Sequence, residues 1–235
     1  MTVSRPATVG TTAHPAVVHG VHGAAGATRW TCFAGRRQLS SPCEAVEWAS
    51  IPAGGISGEH LHSRTEESYL ILSGQGELLL DGVAHPVRAG SLALTGIGHT
   101  HGLRNVGDSD LDWLVVESIA PATDRALRGH SSEGAPMGGV VLRDLFADGV
   151  VDTAGVFTGP LRRIESLDVT APVVLGHDDT ELAVYVVRGH GALHSDATGD
   201  VALFPGTCVL VPAGARARVT SPALHLAVVH LAVAP

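Results

Sequence analysis

The chain has 235 residues, a net charge of −8 and no lysine, so all 15 of its basic residues are arginine. An acidic chain without a basic run argues against nucleic acid as the main partner, because phosphate binding needs a basic face, and it offers no patch for a membrane surface. The missing lysine excludes Schiff-base chemistry on a lysine amine, and Cys32, Cys43 and Cys208 fit no metal spacing, which leaves them as free thiols.

Hydrophobic residues make up 45% of the chain but aromatics only 4%, with 29 Gly and 13 Pro. That mixture predicts a core of Val, Leu and Ala, and many short strands joined by tight turns rather than long helices. No run of apolar residues is long and uninterrupted enough for a membrane span. The first ten residues, MTVSRPATVG, lack the apolar segment of a secretory signal. A soluble, cytoplasmic protein is the expectation.

Residues 1–26, rich in Thr, Gly, Ala and His, predict an arm. Its histidines His14, His19 and His22 are expected to be exposed, since no carboxylate or cysteine accompanies them. From Trp30 to Glu117 the pattern is strand-like: CEAVEWASI, then SYLILSG and ELLLDGVAHPV around an Asp81-Gly82 hairpin turn, then SLALTGIG and LDWLVVESI. Residues 121–139 are polar and Gly/Pro-rich and predict a linker, and VLRDLFADG after them predicts one helical turn. The pattern then returns. YLILSGQGELLL from Tyr69 has an echo in VYVVRGHGALHS from Val184, and GSLALTGIG from Gly90 has one in GTCVLVPAG from Gly206. A nearly constant offset across two blocks means duplication of one small β unit. The expected division is an arm over 1–26, a first unit over 27–120, a linker over 121–139 and a second unit over 140–235.

The chemistry concentrates in GEHLHSRTEESYLILSGQGE, residues 58–77. On a strand, side chains two apart share a face, so His60 and His62 project together. An acid at the start of the next strand, Glu66 or Glu67, and a third imidazole, His99 or His101, would complete three nitrogens and one oxygen. That set suits Fe(II), Mn(II), Ni(II), Co(II) or Zn(II) and disfavours Cu(I), which prefers sulfur.

The run from Gly54 through His60, His62 and Glu67 to Gly74 resembles the first motif of the cupin superfamily, G-x5-H-x-H-x3-4-E-x6-G. Gly90, Gly98, His101 and Asn105 resemble the second, G-x5-P-x-G-x2-H-x3-N, with Gly96 standing where the family usually has Pro. The resemblance covers most of residues 30–233. It implies an all-β fold of two tandem jelly-roll barrels, a bicupin, and a metal held by His60, His62, Glu67 and His101. Aligned on the glycines, the second copy has Leu175, His177, Leu182 and Ala217 at those positions, so it is expected to be a degenerate unit without a metal site.

Four protein ligands leave two positions on an octahedral ion for a small-molecule substrate. The resemblance therefore implies a metal-dependent enzyme acting on a small oxygenated metabolite. A dioxygenase with Fe(II) is the leading expectation, beside a non-redox isomerase, cyclase or lyase and a non-catalytic binding protein. Tyr69 and Glu117 are candidate catalytic residues on predicted strands. Trp48 and Trp113, also on predicted strands, are expected to pack in the core or lie on the surface rather than reach a cavity, and Arg64, Arg104 and His85 to be solvated. Pairing through edge strands makes a homodimer the expected assembly.

Overall fold

The computed structural model describes residues 8–130 and 137–233. Part of the expected linker, residues 131–136, lies outside the described residues. The first half runs as β1 (Val9–Thr11), β2 (Ala16–His19), β3 (Ala27–Gly35), β4 (Cys43–Ile51), β5 (Ile56–Leu61), β6 (Thr65–Ser73), β7 (Gln75–Leu80), β8 (Val83–Arg88), β9 (Ser91–Thr95), β10 (Thr100–Asn105) and β11 (Leu111–Ile119). A short helix α1 (Pro121–Leu127) opens the segment expected to be linker, with Pro121 in the first turn, where its missing N–H costs nothing. Then come β12 (Val140–Asp144), the predicted helical turn as α2 (Leu145–Asp148), β13 (Val150–Asp152), β14 (Leu161–Val169), β15 (Val173–Leu175), β16 (Thr180–Ser195), β17 (Gly199–Leu203), β18 (Thr207–Val211) and β19 (Ala217–Ala232).

The chain is all-β, built from jelly-roll sandwiches. One seven-stranded sheet has the order β12-β9-β6-β11-β4-β3-β2 and faces a four-stranded sheet, β5-β10-β7-β8. The second half forms one eight-stranded sheet, because β16 and β19 each run 16 residues and serve both walls of their sandwich. Two short strands cross between the halves. β1 pairs with β18 of the rear sheet, and β12 pairs with β9 of the front one.

The seven-stranded sheet is buried on both faces. Ala49, Ile51, Tyr69, Ile71, Trp113 and Val115 point into the front sandwich. Their sequence neighbours Val46, Trp48, Leu70, Leu114 and Val116 pack instead with Ile164, Tyr185, Leu210, Ala227 and Val229 of the rear sheet. This explains why YLILSG and LDWLVVESI read as continuous apolar runs rather than alternating ones. Trp48 is core, as expected.

Two carboxylates cross this shared interface. Glu66, 1% exposed, accepts from Thr158 N (2.7 Å), Thr158 Oγ1 (2.8 Å) and Gly159 N (2.8 Å) in the loop before β14. Glu181, 4% exposed, accepts from Ser40 N (3.0 Å) and Ser41 N (2.8 Å) and from the Ser41 hydroxyl, in the loop before β4. Glu66 and Glu181 are 115 positions apart, matching the offset between the repeated glycine blocks. Each half thus inserts the same carboxylate into the other half's equivalent loop. A charged acceptor stabilises each such bond by roughly 1.5–3 kcal/mol, and its removal also leaves buried N–H groups unpaired. Glu66→Ala and Glu181→Ala should therefore each lower unfolding free energy in urea by roughly 2–4 kcal/mol. A loss below about 0.5 kcal/mol, the range of ordinary surface changes, would show that the pair carries no weight.

Candidate metal centre

The geometry of the front sandwich follows from strand alternation. Glu66 leaves β6 toward the rear half, so Glu67 must leave it toward the interior. His101 on β10 lies opposite His60 on β5, and His62 follows directly after the end of that strand. The four side chains His60, His62, Glu67 and His101 offer ligand atoms that all lie within 4.8 Å of one another. Glu67 Oε2 is 3.5 Å from His60 Nε2, 3.5 Å from His62 Nε2 and 2.9 Å from His101 Nε2, and the last two nitrogens are 3.3 Å apart. His101 is fully buried, His62 and Glu67 nearly so, and His60 is partly open.

Each ring is held from behind. His60 Nδ1 donates to Gly58 O (3.1 Å) and His62 Nδ1 to Thr65 O (3.3 Å), while His101 Nδ1 meets Thr95 Oγ1 at 2.8 Å. A carbonyl only accepts, so His60 and His62 carry their protons on Nδ1 and turn Nε2 lone pairs toward Glu67. Burial lowers the His62 pKa to about 4, keeping it neutral. Burial works to raise Glu67, but the surrounding imidazoles of His101, His60 and His62 outweigh it and hold the carboxyl well below the usual carboxylate range. Burial likewise opposes charging of His60, and Glu67 overrides it, raising that ring.

This donor set fits a divalent ion. Glu67 Oε2 is buried without a properly formed hydrogen bond, although three imidazole nitrogens surround it. A carboxylate facing inward lone pairs repels them unless a cation lies between, and three nitrogens with one oxygen are borderline-hard ligands for such a cation.

The two open choices of the sequence are decided by side-chain direction. His99 turns away to Asp81 Oδ2 (2.7 Å) and Gly138 O (3.1 Å), so it fastens a loop. Asn105 clips a turn, donating to Ile51 O (3.0 Å) and Ser109 O (2.7 Å). Gly96, in the usual proline position, donates its N–H to Gly139 O at 2.9 Å, which Pro could not do. A Cβ there would lie 2.8 Å from Gly138 Cα.

Tyr69 and Glu117 both reach this neighbourhood. The Tyr69 ring is 4.2 Å from that of His101 and 5.7 Å from Trp113, and its hydroxyl is driven well above its ordinary pKa by burial and by Glu67. Glu117 lies opposite Glu67 across the β6–β11 ladder and accepts from Thr65 Oγ1 at 2.8 Å. Burial and the Glu67 charge raise its pKa. Arg64 and Arg104 are exposed.

Two residues went unread in the sequence. Glu47, on β4, lines a cavity of about 280 Å³ beside Glu67, with Trp30, Tyr69, Trp113 and Val115. Burial raises its pKa to about 7, partly offset by the Trp30 indole N–H. A Glu three residues after another Glu on a strand carries no signal by itself. The second is the contact of His22, which is exposed as expected but also stacks on His60 with ring centroids 3.6 Å apart and planes 10° from parallel. The arm folds over the cavity because β2 joins β3, and Val18 and Val21 then complete its wall. His22 adopts φ 51°, a left-handed position that costs an L-residue roughly 1–2 kcal/mol. The only early sign is Gly58, where a Cβ would sit 2.2 Å from the His22 carbonyl oxygen.

In the rear half Leu175 lies opposite Ala217, as His60 lies opposite His101. Leu182 and Ala217 are buried there in an apolar cluster. His177 keeps only a ring neighbour, His230, at 5.6 Å.

A family model described as a cupin domain matches residues 47–117. An oxalate-binding protein of Thermotoga maritima is 36% identical over 66 residues, covering 28% of this chain and 54% of that protein. Protein SchB of Streptomyces halstedii is 33% identical over 95 residues, covering 38% of this chain and 67% of that protein. The match thus spans about half the length of the first relative and two thirds of the second. The structure of Ylba from E. coli superposes with TM-score 0.73 at 11% identity, covering 100% of this chain and 94% of that one, a likeness of fold.

Gly58→Ala should push the His22 carbonyl away and lift the arm. Amide exchange across residues 20–26 is expected to rise about tenfold while that of β14–β19 stays put. Unchanged exchange in the arm would show that it does not rest on Gly58.

Proposed function

The chain belongs to the cupin superfamily, and from that premise we propose that His60, His62, Glu67 and His101 hold one divalent transition metal in a metal-dependent enzyme acting on a small oxygenated metabolite. Fe(II) is the first choice, and Mn(II), Ni(II), Co(II) and Zn(II) share the same donor preferences. One observation carries the reading: three imidazole nitrogens converge on one buried carboxylate oxygen that has no formed hydrogen bond. The rear half, filled by Leu182 and Ala217, serves as support.

Iron at such a centre supplies Lewis acidity and redox access to dioxygen, which makes the protein a dioxygenase in this reading. The chain's own residues do the rest. Thr95, Thr65 O and Gly58 O fix the three rings. Tyr69 packs at a tilt against His101, with ring centroids 4.2 Å apart, and restricts its turning. His22 screens the exposed side of His60 from water. Trp30, Trp113 and Val115 give the cavity a largely apolar wall beside Glu67.

Glu47 favours a second reading, a non-redox isomerase, cyclase or lyase. A carboxyl raised to about 7 by burial can both give and take a proton near neutrality, as a general acid–base group must.

The test begins with metal analysis of protein purified without added metal. His101→Ala should abolish the bound metal with the fold retained, while His177→Ala should keep it. Thr95→Val should weaken binding by about 10- to 100-fold, the usual effect of removing a ligand's outer hydrogen bond. Equal metal content in wild type and His101→Ala would end the proposal. Oxygen uptake with phenols and enols then separates the two readings, since anaerobic turnover favours the second.

A further inference from the structure

The cavity beside Glu67 has a chemical character that narrows the substrate. We propose that it takes a small, flat, hydroxylated ring or enol whose body carries no negative charge, presented to the His60–His62–Glu67–His101 centre, with Glu47 setting that selectivity. This rests on the metal reading above and adds to it the class of ligand.

Size comes first. A cavity of about 150 Å³ accepts benzene. The present one, about 280 Å³, has room for one ring with its substituents. Its shape is set by aromatic and branched walls: Trp30 and Trp113 with Tyr69, then Val18, Val21 and Val115. Such walls favour a planar apolar body.

Charge decides more. No arginine lines the cavity, and the chain has no lysine. Two carboxylates line it, Glu47 and Glu67. The one imidazole in the wall is His22. A divalent ion would offset Glu67 and accept one ionised oxygen of the ligand. Above about pH 8, where Glu47 with its pKa of about 7 is ionised, a second negative group would meet that carboxylate with no arginine or lysine in the wall to pair with, and burying an unpaired charge is costly. An extra carboxylate on the ligand is therefore selected against.

Hydrogen bonding completes the description. Three buried side-chain atoms without partners belong to residues lining this cavity: Ser57 Oγ, Glu67 Oε2 and Trp113 Nε1. The Trp113 N–H calls for an acceptor oxygen, and the Glu47 carboxylate calls for a donor. A hydroxyl group supplies both roles; a carboxylate supplies only the first.

The test uses the metal-reconstituted protein, with metal content measured on every sample. Isothermal calorimetry under argon at about pH 8.5, above the Glu47 pKa of about 7, compares 4-methylcatechol with 3,4-dihydroxybenzoate, which has the same ring and hydroxyls but a carboxylate in place of the methyl, and with oxalate. The neutral catechol should bind roughly tenfold or more tightly than either acid. Glu47→Gln, which keeps the size and removes the charge, should bring dihydroxybenzoate to within about threefold of the catechol. Comparable affinity of wild type for either acid overturns the proposal, as does a ratio that Glu47→Gln leaves unchanged, or no binding of the catechol to metal-loaded protein. A protein that takes up no metal overturns the metal reading, and this inference with it, and the metal analysis distinguishes that failure from the others.

Discussion

Glu66 and Glu67 are adjacent on β6, and a strand must send adjacent side chains to opposite faces. Both faces of this strand are buried, one against the rear half and one inside the front sandwich. Two neighbouring carboxylates in such a strand each need a separate reason to be there, because a buried charge without partners is too costly to persist. Glu66 finds its partners in the backbone of the opposite half. Glu67 finds imidazoles, and a set of imidazoles that itself calls for a cation. A one-residue slip of β6 would exchange the two and destroy the interface and the centre together, so assembly of the halves and construction of the site depend on the same register.

The duplication makes this separable. The interface carboxylate is present in both halves as Glu66 and Glu181, each meeting the other half's loop. The interior carboxylate is present in one, since Leu182 occupies the equivalent place and packs with Val184, Val209 and Val228. The rear half has therefore kept what holds the two halves together and replaced what would need an ion. Apolar residues at those sites bury without partners, whereas a partial donor set would leave unpaired polar groups in the core.

The sequence reveals local relations and conceals distant ones. Two histidines two residues apart with an acid five residues later define a strand face and a turn, and the repeated glycines at Gly74 and Gly189 mark where each copy bends, with φ of 84° and 87°. Those features sit within a few residues of one another, and the fold class and the four converging side chains follow from them. The Glu66 clamp joins residues 92 and 93 positions apart, and the Glu181 clamp spans 140 or more. No pattern within a strand encodes such a partner. The contact of His22 with His60 was hidden for the same reason. Its neighbour His60 is supplied by β2 pairing with β3, a tertiary event, and a lone histidine among Gly and Ala offers no local signal. Glu47 resembles any strand glutamate until its neighbours across the ladder are known.

The crossing strands tie these pieces into one object. β1 anchors the arm on the rear sheet at Val9–Thr11, and β2 lays the following residues along the front sheet at Ala16–His19. The arm is therefore fixed at both ends before it reaches His22, and the left-handed turn there is held by its attachments rather than by its own preference. The same logic applies at the other side of the cavity, where β12 closes the edge of the front sheet against β9 and the adjoining Gly138–Gly139 segment is bonded to the Gly96–Ile97 loop. The rear half contributes here as well, because it supplies the anchor for the arm over His60. Loss of the arm's attachment at β18 would open the cavity without touching any of the four converging side chains, so access to the centre and the identity of its donors are set by different parts of the chain.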